Sequence, residues 1–322
     1  MLKKSWIIRK HEDRNQILAL ADTLNISNAL ANLLIQRGIT NYFEAEKFFK
    51  PSLTSLYNPF LMDGMEKASK RVIEAIINNE KICIYGDYDV DGTCAAAIMY
   101  LSLNKLNANL TVYIPNRLNE GYGISTMSIH ELKDKGISLL ISVDCGITAV
   151  TEINLAKELG IDTIICDHHQ PKEVLPDAYA ILDPLKPGCN YPYKYLSGAG
   201  VAFKLVRAVY DRIGKKEVTL DCLDLVALSA AADIVPLTDE NRILVKEGIE
   251  RINSNPRPGI EALIKSARIE QGSLTSGQIV FTLAPRINAV GRMGDANPAF
   301  ELFITEDPIR AIELANKLEF EN

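Results

Sequence analysis

The sequence predicts an α/β protein with a doubly wound, mainly parallel sheet, helices on both faces of that sheet, and helical extensions at both ends of the chain. Two observations lead to this prediction. From Met65 onward, apolar runs of strand length alternate with segments of helix length, which is typical of right-handed βαβ units. The chain has 322 residues and 47% hydrophobic content, enough to bury one large core.

The elements divide into three predicted parts. Residues 1–60 form a helical cap with helices at 14–24, 27–37 and 41–49. Residues 61–240 form the α/β domain, with strands at 81–85, 110–114, 139–143 and 163–166 and a helix before or after each, at 65–78, 93–106, 126–135 and 148–159. A proline-rich crossing at 177–200 then leads to helices at 201–213, 219–232 and 239–253. Residues 241–322 form a helical extension, irregular at 283–293, whose last helix has no C-terminal cap and is expected to continue into further domains.

Composition excludes several classes of protein. The net charge of −6 argues against a protein wrapped in nucleic acid, although a local basic groove is compatible with that total. The apolar runs are shorter than the ~20 residues of a membrane span, and the N-terminus has no apolar signal region. Six scattered cysteines without a C-x-x-C pair predict reduced core thiols in a cytoplasmic protein.

Three predicted strands run directly into aspartates, which two histidines join after the last of these strands. These residues are Asp87, Asp89 and Asp91 after the first strand, Asp144 after the third, and Asp167, His168 and His169 after the fourth. Parallel sheets bind ligands beyond the carboxyl ends of their strands, and clustered carboxylates need a cation among them. Oxygen donors favour Mg²⁺, Mn²⁺ or Ca²⁺. We therefore predict a functional site at this edge; the alternative is that the aspartates are solvated turn and helix-cap residues.

The first acidic segment is compatible with two kinds of metal site. An extended backbone would place Asp87, Asp89 and Asp91 on one side. D-x-D-x-D-G also begins a calcium loop, but that loop needs a Glu six residues after Gly92, where this sequence has Ile98. Further along, Asp233 follows an apolar helix, where a carboxylate needs a partner.

Two other segments have the residue types that bind phosphate. The turn before the helix at 201–213 offers backbone N–H groups at a helix N-terminus, and the irregular segment offers arginines and an amide. The candidates are Ser197, Gly198 and Gly200 in the turn, and Arg286, Asn288 and Arg292 in the segment. A tight packing turn and ordinary surface arginines are the alternatives.

The ordered motifs YGDYDVDG, VDCG, CDHHQP and ADIVPL resemble the DHH phosphoesterase superfamily, which is named for the triplet at 167–169. The segments NRLNEGYG, LDPLKPGCNYP, LSGAGVAFKL and APRINAVGRMGDA are similar to the RecJ-type family of bacterial single-strand-specific exonucleases. Because several long motifs keep a fixed order over nearly the whole chain, this resemblance is specific.

The resemblance implies two divalent ions, Mn²⁺ as the first expectation and Mg²⁺ as the alternative. Asp89 and Asp91 would each hold one ion and Asp144 would bridge both. The remaining implied roles belong to His168 and Asp233 as further ligands, Asp87 as a ligand or its neighbour, and His169 as the residue that faces the scissile phosphate. Tyr85 stands where some relatives have a histidine, so one ion would be bound less tightly or with an extra water.

The implied activity is 5′ to 3′ hydrolysis of single-stranded DNA to 5′-mononucleotides, in DNA repair and recombination. Two ions ~3.5–4 Å apart can activate a water and clamp a phosphodiester, with His169 as a donor to phosphate oxygens. Arg117, Arg286, Arg292 and the turn at 197–200 are expected to contact successive phosphates, and Tyr122 to stack on a base. The expected partners are single-stranded DNA, a single-strand-binding protein and a helicase. The protein is expected to be a monomer and not to associate with a membrane.

Two rival functions remain at this point. One is a DHH phosphodiesterase acting on short oligonucleotides, cyclic dinucleotides or pyrophosphate, against which the long motifs outside the metal site argue. The other is a non-catalytic replication scaffold, similar to the eukaryotic replicative-helicase subunit of this fold, in which degenerate ligands would be expected. No G-G-H-x-x-A-A-G-like run of the RecJ type occurs here, so we expect the chain alone to grip DNA less processively.

Overall fold

The computed structural model describes residues 13–121 and 123–322. The chain divides into two compact units, Met1–Ser55 and Leu56–Asn322. The boundaries predicted at 60 and 240 stay predictions.

The first unit contains three short helices, close to the positions predicted for them: α1 (Arg14–Leu24), α2 (Asn28–Ile35) and α3 (Tyr42–Phe49). Each helix begins after an N-cap residue whose side chain accepts a backbone N–H from the first turn; these residues are Asp13, Ser27 and Asn41. Such caps satisfy donors that the first helical turn leaves without partners. The helices bury one apolar cluster that includes Ile17 and Leu34.

The second unit is built on a parallel sheet, as predicted. Its strands are β1 (Lys81–Tyr85), β2 (Asn109–Tyr113), β3 (Leu139–Val143), β4 (Asp162–Cys166) and β5 (Ala180–Leu182). Their order is β2-β1-β3-β4-β5, and every neighbouring pair is parallel. The sequence analysis missed β5, because a three-residue strand inside a proline-rich crossing has too short an apolar run to recognise. The α/β fold class is confirmed.

Helices connect and flank these strands. They are α4 (Met65–Ile77), α5 (Val90–Asn104), α6 (Arg117–Glu120), α7 (Thr126–Asp134), α8 (Val150–Glu158), α9 (Gly198–Arg212), α10 (Leu223–Ala232), α11 (Asp239–Ser254), α12 (Pro258–Ser266), α13 (Ser276–Gln278), α14 (Ala284–Arg292), α15 (Asn297–Ile304) and α16 (Pro308–Glu321).

Three helical boundaries differ from the predictions in ways that affect the site. Helix α5 begins at Val90 rather than at position 93, so its first turn includes part of the acidic segment. A 3₁₀ segment, Lys216–Cys222, precedes α10 and replaces the first turn predicted for that helix. The prediction of an irregular segment at 283–293 is wrong: a π-helical turn, Ile279–Leu283, leads directly into α14. Pro285 follows this π-helical turn directly and has no N–H to donate, so the turn before it receives one backbone hydrogen bond fewer.

The core of this unit lies where α5 packs against α9 and α10. Ala95, Ala96 and Ala97 are all fully buried, so α5 is covered on every side, as is typical of a helix without a polar face. Their small side chains permit this close packing. Because α5 starts at the carboxyl end of β1, the central helix of the core also begins at the edge where the acidic residues lie.

Among the described residues no single helix has both the length and the apolar composition to cross a membrane, whereas α1 and α2 pass that test only as a pair bent by 111°.

Candidate metal centre

The predicted acidic residues meet at one edge of the sheet. Strands β1, β3 and β4 are adjacent in the order of the sheet, so their carboxyl ends lie side by side. The loops that follow them carry Asp87 and Asp89, Asp144, and His168 with His169. The fourth contribution comes from α10, whose C-cap residue is Asp233. This confirms that the strand ends converge, and it places the candidate site where doubly wound sheets bind ligands.

The first acidic segment is a helix start rather than an extended strand. Asp89 is the N-cap of α5, and its Oδ1 accepts the Gly92 N–H at 2.9 Å. Asp91 lies inside the first helical turn. The condition under which all three aspartates would point to one side, an extended backbone, is therefore not met. Gly92 is required here because a Cβ would lie 2.6 Å from the Asp87 Cα.

Asp91 is fixed by hydrogen bonds from two other helices. Its side-chain oxygens accept the Gly198 and Ala199 N–H groups, both at 2.7 Å, and the Ser229 Oγ at 2.6 Å. The two amides belong to the N-terminus of α9, which favours a negative charge. The carboxylate is 2% exposed and keeps its charge compensated by these donors.

These contacts correct the role predicted for the turn at 197–200. The Gly198 N–H is already bonded to Asp91, and the Gly200 N–H donates to Ser197 Oγ at 3.1 Å. Ser197 Oγ also lies 2.7 Å from Ser229 Oγ. The turn binds an anion, as its composition indicated, but that anion is a carboxylate of the chain itself rather than a phosphate.

Asp144 occupies a strained backbone position. Its φ is +61°, a conformation that is uncommon for residues other than glycine and is often found at functional sites. Its N–H continues the ladder to Cys166 O at 2.9 Å. A Cβ on Gly198 would lie 2.6 Å from the Asp144 Oδ1, so the start of α9 closes directly over this carboxylate. Burial, and next the charge of Asp91, raise the pKa of Asp144 well above its usual range.

His168 Nε2 lies among three carboxylates without a hydrogen-bond partner in the described part of the chain. It is 3.2 Å from Asp144 Oδ1, 3.5 Å from Asp91 Oδ2 and 3.7 Å from Asp233 Oδ2. The Asp144 Oδ1 and the Asp87 Oδ1 also have no partner there. Buried polar atoms are normally satisfied, so several orphaned acceptors facing one another indicate that a cation belongs among them.

The carboxyl pKa values support the same conclusion. Burial, followed by the charge of Asp89, raises the pKa of Asp87 to about 7. Burial and the charge of Asp91 raise the pKa values of Asp89 and Asp233. Carboxylates that are buried together resist ionisation, and a divalent cation would remove that resistance.

The donor atoms form three overlapping groups that fit a metal ion, each with its ligand atoms within 4.8 Å of one another. They are Asp87, Asp89 and Asp144; Asp91, His168 and Asp233; and Asp144, His168 and His169. Mixed carboxylate and imidazole donors suit Mn²⁺. The residues present therefore fit a divalent metal.

Asp167 holds the second histidine, a role that the sequence analysis did not assign. Its Oδ1 lies 2.7 Å from His169 Nδ1 and accepts the His168 and His169 N–H groups, while its Oδ2 accepts the Ile147 N–H at 2.9 Å. The hydrogen bond with His169 contributes to a lowered Asp167 pKa despite burial, and the same bond raises the pKa of His169 to about 9. The arrangement leaves His169 Nε2 as the ring nitrogen that can act on a ligand.

The residues predicted to contact phosphate have different environments. Arg117 is exposed and lies over the Tyr88 ring, 5.1 Å from its centroid. Arg292 is exposed on α14. Asn288 Oδ1 instead accepts the Val90 N–H at 3.1 Å.

Arg286 is committed to partners within the chain. It forms an ion pair with Glu319 on α16 and donates to Thr282 O at 2.6 Å. Its side chain is 16% exposed. The predicted phosphate role of Arg286 would require these bonds to break.

The tyrosines singled out by the sequence lie elsewhere or are not described. Tyr85 is fully buried in β1, where it stacks on Tyr113 with ring centroids 5.0 Å apart and donates to Gly123 O at 3.1 Å. It packs in the apolar cluster of the sheet and supplies no atom to the three metal-ligand groups. Tyr122, predicted to stack on a base, lies outside the described residues.

Ser229 and Ala199 were missed for different reasons. Ser229 precedes Asp233 by four residues on α10, a spacing that places two side chains on one helix face, so a periodicity test would have found it. Ala199 acts only through its backbone N–H, which no side-chain pattern reveals.

The chain is similar to a known protein family and to named relatives within it. A model of the DHH family, N-terminal domain, matches residues 81–230. The single-stranded-DNA-specific exonuclease RecJ of Bacillus subtilis (strain 168) is 43% identical over 317 residues, which cover 98% of this chain and 40% of that protein.

Two solved structures are similar to most of the chain. RecJ from Thermus thermophilus in complex with Mn²⁺ has a TM-score of 0.82 and 30% identity, covering 97% of this chain and 44% of that one. An exonuclease RecJ bound to manganese has a TM-score of 0.76 and 35% identity, covering 84% of this chain and 67% of that one.

The chain belongs to the DHH family, and the relatives compared above are RecJ exonucleases. It spans less than half the length of the Bacillus subtilis relative.

Proposed function

We propose that this chain is the catalytic portion of a metal-dependent exonuclease that hydrolyses single-stranded DNA from its 5′ end to 5′-mononucleotides, in DNA repair and recombination. The observation that carries the proposal is the cluster of buried metal-ligand atoms around His168 Nε2 and Asp144 Oδ1, which have no hydrogen-bond partner in the described part of the chain. The RecJ relatives supply the substrate class, since the Bacillus subtilis protein is named as a single-stranded-DNA-specific exonuclease.

The donor groups support two metal positions. Asp87, Asp89 and Asp144 form the first group, and Asp91, His168 and Asp233 form the second. Because His168 Nε2 is 3.2 Å from Asp144 Oδ1, Asp144 lies against both groups, which supports the bridging role assigned to it. Mn²⁺ is the proposed metal, with Mg²⁺ as the alternative. When bound, such ions activate a water and neutralise charge on the phosphodiester.

The chain itself supplies orientation and a proton. Asp167 fixes the His169 ring through Nδ1 and raises the pKa of that imidazole to about 9 in the metal-free protein. Nε2 is then the ring nitrogen that can donate a hydrogen bond or a proton to a phosphate oxygen as charge develops there. Asp91 is held by α9 and α10, which keeps one wall of the site rigid. We assign the catalytic roles to His169 and Asp144.

The exposed cations near the site are the proposed contacts to DNA. Arg117 and Arg292 are exposed, and both belong to elements that contact the acidic loop: Arg117 through Tyr88 and α14 through Asn288. We propose that these two arginines bind backbone phosphates, which would give a local positive region on a chain of net charge −6.

The experiment compares three substrates: a 5′-labelled single strand, the matching blunt duplex and a dinucleotide. We expect Mn²⁺-dependent release of labelled mononucleotide from the single strand, no activity in EDTA and little on the duplex. Asp144→Ala should abolish the activity, whereas Asp211→Ala, an exposed aspartate on α9, should leave it unchanged. Preference for the dinucleotide would favour a small-substrate phosphodiesterase. A folded chain that binds Mn²⁺ and cleaves none of the three substrates would favour a scaffold.

The interactions with a single-strand-binding protein and a helicase, the monomeric state and the cytoplasmic location stay predictions.

A further inference from the structure

Helix α14 contacts the acidic loop at the backbone of Val90. The Asn288 Oδ1 accepts the Val90 N–H at 3.1 Å. Val90 is the first residue of α5, and the first N–H groups of an α-helix have no partner within the helix. Asn288 therefore caps the central helix of the core from outside, using a side chain 198 positions further along the chain.

A second contact lies one turn further along α14. A Cβ on Gly291 would lie 2.3 Å from the Tyr88 O and 3.6 Å from the Tyr88 Cβ, so only glycine permits this approach of the two backbones. Residues three apart share one face of a helix, and Asn288 and Gly291 consequently form one contact surface. On the loop side, this surface touches Tyr88 and Val90.

Tyr88 and Val90 are the two neighbours of Asp89. The Asp89 side chain caps α5 through Gly92, while Asp87 and Asp91 lie one residue beyond each neighbour. The backbone on both sides of Asp89 is thus held by α14, and the ring of Tyr88 is covered by Arg117. A shift of this loop would move Asp89 relative to Asp144, which a separate strand carries.

Helix α14 is itself anchored away from the site. Arg286 bonds to Glu319 of α16 and to Thr282 O, and α14 packs against α16. The segment lies outside residues 81–230, the part that the family model matches.

We propose that Asn288 and Gly291 are positioning residues of the metal centre, which fix the backbone on both sides of Asp89 and so set the geometry of the group formed by Asp87, Asp89 and Asp144. The proposal rests on the metal-binding part of the proposed function. Neither residue touches the metal. Groups that orient metal ligands typically contribute 10–100-fold to metal affinity.

The experiment measures Mn²⁺ affinity of the full chain by electron paramagnetic resonance of free Mn²⁺, with thermal unfolding of the metal-free protein in parallel. Asn288→Ala should weaken Mn²⁺ binding at one position by about tenfold or more, and Gly291→Ala should do so at least as strongly. Asn288→Asp keeps the oxygen acceptor and should retain wild-type affinity or better.

The chain offers a matched control for each variant on α11. Asn253 makes two similar side-chain bonds to the backbone of Leu274, at 2.8 and 3.0 Å. Gly248 makes a similar close approach, with a Cβ that would lie 2.2 Å from the Leu223 O. Asn253→Ala and Gly248→Ala should lower thermal stability and leave the Mn²⁺ affinity within about twofold of wild type.

The outcomes separate the proposal from the proposed function. Folded Asn288→Ala protein with wild-type Mn²⁺ affinity would overturn the positioning role, and so would equal losses in the α11 controls. If Gly291→Ala does not fold, Asn288→Ala decides alone. Wild-type protein that binds no Mn²⁺ would overturn both proposals. Wild-type protein that binds Mn²⁺ without cleaving single-stranded DNA would overturn the nuclease function only, because the readout here is affinity.

Discussion

Replacing Asp87 by asparagine should stabilise the metal-free protein at pH 8 and weaken the stabilisation that bound metal gives it. Asp87 is 3% exposed, and its Oδ1 has no hydrogen-bond partner in the described part of the chain. Without a cation, its charge is buried beside that of Asp89. Asparagine has nearly the same volume and no charge, so the substitution removes the repulsion and leaves the packing intact.

The size of the effect follows from the raised pKa of Asp87. Burial and the charge of Asp89 raise it from 3.8 to about 7. The folded protein therefore binds more protons than the unfolded chain between pH ~4 and ~7, and stability falls as the pH rises through this window. At pH 8 the ionised carboxylate costs up to about 4 kcal/mol. Burying the new amide costs about 1–3 kcal/mol where it finds no acceptor, so we expect a net gain near 2 kcal/mol.

The assay is urea unfolding at pH 4 and pH 8, in EDTA and in saturating Mn²⁺. Asp87→Asn should raise the free energy of unfolding by about 2 kcal/mol at pH 8 in EDTA. At pH 4, where the wild-type carboxyl is protonated, only the cost of burying the amide remains, and the variant should be less stable than the wild type by about 2 kcal/mol. The variant should also lose part of the stabilisation that Mn²⁺ gives the wild type. Saturation at 100 times Kd stabilises by about 2.7 kcal/mol, so that loss is measurable.

Asp183→Asn is the matched control for this experiment. Burial raises the pKa of Asp183 to about 7 as well, and its Oδ2 also has no partner in the described part of the chain, but it supplies no atom to the metal-ligand groups. It should share the gain at pH 8 and keep the full response to Mn²⁺. A loss of stability for Asp87→Asn in EDTA at pH 8 would refute the reasoning, as would a gain independent of pH.

Three further predictions test other parts of the structure. Asp167→Asn should lower the pKa of His169 from about 9 towards 6.5, seen by NMR titration and as a shift of the high-pH limb of the activity profile to lower pH; an unmoved limb would exclude His169 as the protonated donor. Ile234→Gly should raise the free energy of unfolding by about 0.5–1 kcal/mol. Ile234 is exposed and has φ +57°, a left-handed conformation that costs a residue with a side chain about 1–2 kcal/mol. The greater flexibility of glycine in the unfolded chain offsets part of this gain. Arg257→Ala should lower the free energy of unfolding by about 3–5 kcal/mol in chemical denaturation. Two guanidinium nitrogens lie 2.7 Å from the buried carboxylate of Asp224, and the substitution leaves that charge without a partner. A loss below about 1 kcal/mol would contradict this.

The position of the site could be predicted because it follows from the order of strands and aspartates along the sequence. Apolar runs identify β1, β3 and β4, and parallel strands bring whatever follows them to one edge. The way in which each side chain is held could not be predicted by the same route. Asp91 appeared equivalent to Asp87, since both stand in one D-x-D-x-D pattern. The two residues differ because α5 begins at Val90, which places Asp91 inside the helix and Asp87 before it. Element boundaries are the least reliable part of such predictions.

Some of the groups predicted to contact phosphate bond to carboxylates of the chain, for a physical reason that applies to arginines and turns generally. A helix N-terminus attracts an anion and a guanidinium attracts a carboxylate or a phosphate equally well. Sequence patterns identify the cationic or donor group but not which anion reaches it. In this fold, Asp91 reaches the turn before α9 and Glu319 reaches Arg286. Arg117 and Arg292, by contrast, are exposed.

The acidic residues of the site therefore fall into two kinds, and the difference determines what a cation must do. Asp91 and Asp167 accept three or more hydrogen bonds each from the chain, so their charges are stabilised whether or not metal is present. Asp87 and Asp144 each keep an oxygen without such a donor. The first kind forms a rigid frame, and the second kind supplies the charge that only a cation can compensate. Replacing Asp87 or Asp144 should consequently lower the affinity for metal without loss of the fold, whereas replacing Asp91 should cost the fold and the metal together.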